Sequence, residues 1–255
     1  MRIRSILAVT SLLLTTTVIG VTPGAAQSSG NGYFFRPPLV TLSLQGGLGL
    51  PRASSDLFTD ISERLTINDG DFRGAAVNTA LFFNINPRIA IGASLGYSSR
   101  TVDSEYRNFV EESATGDLPI TQTTRFARTP IMAQAKLYLV PTGQQIGSFA
   151  WVPSKLAPYI GAGAGAVHYR FRQEGDFINF ADPELSIFSN SIEADGWAPA
   201  AQLLGGVDYS LTPRILLSGE AGYTRASRDL PREFEGFEPI DLSSVVATVG
   251  ISLRF

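Results

Sequence analysis

The sequence predicts an all-β chain that closes as an eight-stranded antiparallel up-and-down transmembrane β-barrel. Three observations predict it: period-two alternation in eight segments, a second face built from small and neutral polar residues, and connections that are in turn very short and long. The strands are read at 39–50, 73–85, 88–99, 125–140, 158–171, 199–211, 214–226 and 242–255.

Ahead of the first strand lies an export signal. Arg2 and Arg4 give a positive start, Ile6 to Val21 an apolar run, and Gly24-Ala25-Ala26 a small-residue site, so cleavage is expected after Ala26. The run is broken by threonines and is shorter than the ~20 residues a spanning helix needs. Removing 26 of 255 residues leaves a 229-residue chain, 27–255, of a size that suits one barrel domain. It contains no second long apolar run, so no helical span is expected.

Losing Arg2 and Arg4 from 20 basic residues leaves 18 against 23 acidic ones, a net charge of −5. That balance argues against nucleic acid, whose phosphates need clustered Lys and Arg. Zero cysteines exclude disulfides, thiolate metal sites and a lipid anchor on an N-terminal Cys.

Along the chain, 73–85 and 88–99 are joined by Asn86-Pro87, a connection so tight that the pair must be an antiparallel hairpin. Strand 125–140 sets Ile131, Ala133, Ala135, Leu137 and Leu139 against Gln134, Lys136 and Tyr138. In 158–171 the glycines 161, 163 and 165 share a face and permit close approach of a neighbour. Strand 199–211 opposes Leu203, Val207, Tyr209 and Leu211 to Gln202, Asp208 and Ser210. Thr212-Pro213 turns it into 214–226, where Ile215, Leu217, Ala221 and Tyr223 oppose Arg214, Ser218, Glu220 and Thr224. The stretch from Pro87-Arg88-Ile89 to Gly96-Tyr97 is echoed at the same spacing by Pro213-Arg214-Ile215 to Gly222-Tyr223. In 242–255, Val245, Ala247, Val249, Ile251, Leu253 and Phe255 line one face. The remaining connections, 51–72, 100–124, 172–198 and 227–241, are expected to be polar loops at one end. The exception is 141–157, whose Pro141, Gly143, Trp151, Val152 and Pro153 suggest a turn folded back along the membrane rim.

A soluble sandwich also alternates, but its outward face carries abundant Lys, Glu and Asp. Here the face opposite the greasy one is mostly Gly, Ser, Thr, Ala, Gln and Asn, which suits the bore of an eight-stranded barrel that side chains just fill. In hydrocarbon an open sheet edge leaves backbone groups bare, so the sheet must close. Tyr97, Tyr159, Tyr169, Phe171, Tyr209, Tyr223 and Phe255 are read as interfacial girdles.

Two segments resemble the outer-membrane β-barrel family, in particular small barrels akin to the transmembrane domain of outer membrane protein A. They are Val249-Gly250-Ile251-Ser252-Leu253-Arg254-Phe255 and Ala157-Pro158-Tyr159-Ile160-Gly161-Ala162-Gly163-Ala164-Gly165. The resemblance implies an outer-membrane location with loops outward and both termini periplasmic. It further implies contact with outer-membrane lipids, and a monomer is expected. It also makes Val249, Ile251, Leu253 and Phe255 an insertion signal read by the barrel assembly machinery. Unlike that family's namesake, the chain stops at the barrel, so a cell-wall tether is not expected.

A search for chemistry yields a bore network. Lys136, His168, Arg170, Asp208, Glu220 and Arg254 are read as facing inward, with Val167, Tyr169 and Phe171 facing out. Each charge in so narrow a bore needs a partner. Such a network plugs the barrel, although the same residues lining a narrow solute path is the alternative. His168, the single histidine, is expected to be a hydrogen-bonding filler. No catalytic site or cofactor is expected: the glycine run lacks a following helix and Gly-Lys-Ser/Thr. No metal is expected either, since one His and no Cys cannot build a transition-metal site, and the loop acids Asp69, Asp71, Glu111 and Glu112 are read as solvating their loops. The expected role is structural or surface-interacting. A narrow porin-like channel and a lipid-modifying enzyme are the alternatives, the latter decided by the mass of lipid A with and without the protein.

Overall fold

The computed structural model describes residues 34–52, 55–111, 116–180, 182–229 and 239–255. The expected export signal at 1–26 lies outside them. Eight strands form the wall: β1 (Val40–Pro51), β2 (Gly74–Asn86), β3 (Ile89–Glu111), β4 (Leu118–Tyr138), β5 (Leu156–Ile178), β6 (Ile187–Ser210), β7 (Ile215–Arg228) and β8 (Ser244–Arg254). Each pairs antiparallel with the next. β8 returns to β1 in unbroken register from Thr41↔Arg254 to Pro51↔Ser244, so the ring is closed. Closure satisfies the backbone groups that an open edge would leave bare in hydrocarbon.

The two tight turns are built by the side chains that the sequence places there. Asn86 Oδ1 accepts from the N–H groups of Arg88 and Ile89, and Thr212 Oγ1 accepts from those of Arg214 and Ile215. Such local bonds are why Asn and Thr favour turns.

The wall is apolar outside and polar inside over a belt. On β3 the outward residues Ile89, Ile91, Leu95 and Tyr97 are exposed while Ser94 is buried inward, and on β7 Ile215, Leu217 and Tyr223 are exposed against inward Ser218 and Thr224. Nine tilted residues span roughly 20–25 Å, which matches the apolar band of a membrane barrel. Val249, Ile251, Leu253 and Phe255 all lie on this outer face. At Gly165 a Cβ would overlap the Ile131 carbonyl oxygen, so glycine there lets β4 come close.

Beyond the belt the chemistry inverts while the parity of the side chains does not. Outward positions become Asp103 and Glu105 on β3, Arg125 on β4, Arg170 and Arg172 on β5, and Glu193 and Asp195 on β6. Inward positions become Phe126, Val167, Tyr169, Phe171, Ala194 and Ala198, all buried. Water has replaced lipid outside, and an apolar cap has replaced the polar bore inside.

That inversion corrects the expected loops. Most of 100–124 and 172–198 is strand, the upper part of two long hairpins, β3–β4 and β5–β6. The segment 51–72 contains a helix, α1 (Asp56–Arg64), and a 3-10 turn, Asp69–Phe72. Phe58, Ile61 and Leu65 recur at helical spacing and are buried with Ile67 and Phe72 against the inward aromatics of the wall. Phe58 meets the rings of Phe72, Phe126 and Phe171 edge-on, at centroid distances of 5.2, 5.6 and 6.1 Å. Thr66 N–H bonds to the Glu105 carbonyl and ties the end of the helical segment to β3.

The 141–157 connection is a small hairpin, Gly143–Ile146 with Ala150–Pro153. Its Trp151 is buried, exchanges backbone bonds with Phe34, and has the Arg254 guanidinium 5.6 Å from its ring centre.

Candidate functional site

The bore is where the sequence gathers charge, and it is filled in layers from the terminal end upward. Lowest is Trp151 with Arg254, whose guanidinium donates to Ser210 Oγ at 3.2 Å. Above it Asp208 accepts from Tyr138 Oη at 2.8 Å and from Ser218 Oγ at 2.7 Å. Ser218 also bonds Ser252, which bonds Ser43, so hydroxyls link the neighbouring strands β7, β8 and β1 along the inner wall.

The next layer holds a buried ion pair. Lys136 Nζ lies 2.7 Å from Glu220 Oε2, with the two side chains 6% and 8% exposed. Tyr159 Oη donates to the same carboxylate oxygen at 2.8 Å. The ammonium also sits over the rings of Phe82 and Tyr159, 4.3 and 4.1 Å from their centres. Two ring faces, a carboxylate and a phenol together replace the water that both charges lost on burial. Higher still, Gln134 donates to Gln202 and Thr248 to Gln45. The loop-end mouth is then covered by the aromatic cap on α1.

Of the six bore residues expected from sequence, Lys136, Asp208, Glu220 and Arg254 lie together inside. His168 and Arg170 do not, and their placement is corrected: both face outward just above the belt. His168 Nε2 is 3.6 Å from Asp195 Oδ2, its ring lies tilted with its centre 5.0 Å from that of Trp197, and Arg170 pairs with Glu193 at 3.1 Å. The cause is the inversion above the belt, where Val167, Tyr169 and Phe171 are drawn into the cap and their polar neighbours to water. Three expected girdle residues move inward for related reasons: Tyr169 and Phe171 join the cap and Tyr159 the ion-pair layer. Tyr97, Tyr209, Tyr223 and Phe255 remain on the outer wall.

Sequence reasoning missed Tyr159 and Arg128 as bore residues. A signal existed for Tyr159, because it shares parity with Gly161, Gly163 and Gly165, whose lack of side chains suits a crowded interior. Glu112, one of the loop acids, lies outside the described residues.

No family model and no curated protein matches the chain. Among solved structures it is similar to Neisserial surface protein A, at 13% identity over 85% of this chain and 97% of that one, with a TM-score of 0.44. It is also similar to OprG from Pseudomonas aeruginosa, at 15% identity over 86% and 97% with a TM-score of 0.44. A third is Ail of Yersinia pestis, solved with the heparin analogue sucrose octasulfate, at 12% identity over 85% and 99% with a TM-score of 0.41. All three are small outer-membrane barrel proteins. The barrel is closed by its own ladder of strand pairs.

Proposed function

We propose that this chain is an outer-membrane barrel that anchors an exposed sheet at the cell surface and does not conduct. The observation that carries the proposal is the buried Lys136–Glu220 pair spanning the bore between a tryptophan-sealed lower end and a capped upper end. A conducting path needs polar groups that ions can displace at small cost. Here they are spent on one another, and parting a buried pair costs several kcal/mol.

In this reading the long β3–β4 and β5–β6 hairpins project outward, carrying mixed charge outside and the cap inside. Both termini are periplasmic, the apolar belt meets outer-membrane lipid, and the outward row Val249, Ile251, Leu253 and Phe255 is what the assembly machinery reads. The protein acts as a monomer, without cofactor.

Planar-bilayer recording tests it: purified protein should give no current steps above background. Discrete steps that change size on Glu220→Gln would overturn the proposal in favour of a narrow solute channel.

A further inference from the structure

The repeat that opens with Pro87-Arg88-Ile89 and again with Pro213-Arg214-Ile215 plays no part in the bore, and its cation recurs around the whole barrel. The four strands that climb away from the terminal end are β1, β3, β5 and β7. Arg88, Lys155 and Arg214 immediately precede β3, β5 and β7, and Arg36 lies four residues ahead of β1. All four are exposed. Each leads into an exposed apolar residue at the foot of the belt, namely Leu39, Ile89, Leu156 and Ile215. Neighbouring strands lie roughly 4.8 Å apart, so cations on every second strand stand on the order of 10 Å from one another around the rim.

No acidic side chain answers them. Among the described residues, the segments that build this end, 34–41, 83–92, 137–160, 206–218 and 250–255, contain one acid, Asp208, which is 5% exposed inside the bore and is balanced there by the buried Arg254. The outer rim therefore carries four positive charges, or three where Phe255 bears a terminal carboxylate. Above the belt the outer face is built differently, with Arg170 paired to Glu193 and Arg172 to Glu174. At the rim, Lys155 Nζ lies 4.7 Å from the centre of the Tyr209 ring, the Arg214 guanidinium 5.6 Å from that of Phe34, and Arg88 donates to the Leu139 carbonyl at 3.4 Å. Rings and a carbonyl position a charge but do not cancel it, and such stems lie along apolar surface with their heads at the water boundary.

We propose that the terminal end of the barrel is a binding collar for anionic phospholipids, in which Arg36, Arg88, Lys155 and Arg214 meet the headgroup phosphates of the leaflet at that end. Cations set at the foot of an apolar belt face the anionic layer that borders hydrocarbon, whereas an acidic soluble partner would need them clear of the belt. The collar requires only that the barrel lie in a bilayer and holds whether or not the bore conducts.

The test uses the whole barrel in phosphatidylcholine vesicles doped with chain-spin-labelled phosphatidylglycerol or phosphatidylcholine, with the fraction of each label immobilised by the protein read from electron spin resonance. Phosphatidylglycerol should associate about two- to threefold more strongly averaged over the lipid shell, because a cation near an anionic surface is worth a factor of about five but touches only part of that shell. The preference should fall toward one at about 1 M salt, where charges are screened within about 3 Å. It should vanish when Arg36→Gln, Arg88→Gln, Lys155→Gln and Arg214→Gln are combined, and survive when the three arginines are instead changed together by Arg36→Lys, Arg88→Lys and Arg214→Lys. Arg125→Gln with Arg170→Gln, at the other end of the belt, should leave it unchanged. Equal immobilisation of the two lipids by the native chain would overturn the collar while leaving the membrane barrel intact, as would a preference that persists in the fourfold Gln variant or is lost in the Arg125 and Arg170 variant. Immobilisation of neither lipid would overturn the placement in a bilayer, and the collar with it.

Discussion

Lys136→Met is expected to lower the unfolding free energy of the barrel by about 3–5 kcal/mol, read from urea titration in lipid vesicles. Methionine matches the length of the lysine stem but leaves Glu220 buried with only Tyr159 as a donor. Most of the loss comes from that uncompensated carboxylate. A smaller part, about 0.5–2 kcal/mol, comes from the cation held between the Phe82 and Tyr159 rings. Because the main penalty falls on Glu220, the double variant Lys136→Met with Glu220→Gln should recover most of the stability. A double variant as unstable as the single one would show that the layer is held by packing and not by charge compensation.

Phe58→Ala is expected to cost about 3–5 kcal/mol, but locally. Phe58 is the centre of the cap and touches three other rings, so its removal leaves a cavity that the rigid wall cannot collapse to fill. The ring of eight strands is closed without α1, so the loss should appear in amide exchange over residues 56–65 while the urea transition of the wall scarcely moves. If the whole barrel lost that stability, cap and wall would have to be one cooperative unit.

The belt was legible in the sequence because its outer row is consistently greasy and its inner row mostly small or polar, with Phe82, Met132, Leu204 and Leu216 as inward exceptions. Lys136, Asp208, Glu220 and Arg254 followed from it. The upper half was not legible for a physical reason. Alternation tells which residues share a face but not which face meets lipid, water or cap, and assigning every apolar row to the outside fails where water takes over from lipid. His168, Arg170, Val167, Tyr169 and Phe171 were inverted by that single assumption. The glycine stripe at 161, 163 and 165 carried the correction, since following its parity upward brings Val167, Tyr169 and Phe171 inside. The partners of the bore charges, Tyr159 on Glu220 and Ser218 on Asp208, depend on interstrand register, which no local pattern encodes.

The change of environment along a single face of β5 can be measured directly, because the chain has no cysteine and each introduced one is a unique label. Single cysteines at Ile160, Ala162, Ala164, Ala166, His168, Arg170, Arg172 and Glu174 would carry a fluorophore in reconstituted vesicles. Labels at 160 to 166 should be quenched by brominated acyl chains and ignored by aqueous iodide, with the pattern reversing from Arg170 onward. Labels at 168 to 172 shielded from both quenchers would place those side chains in the bore and contradict the account.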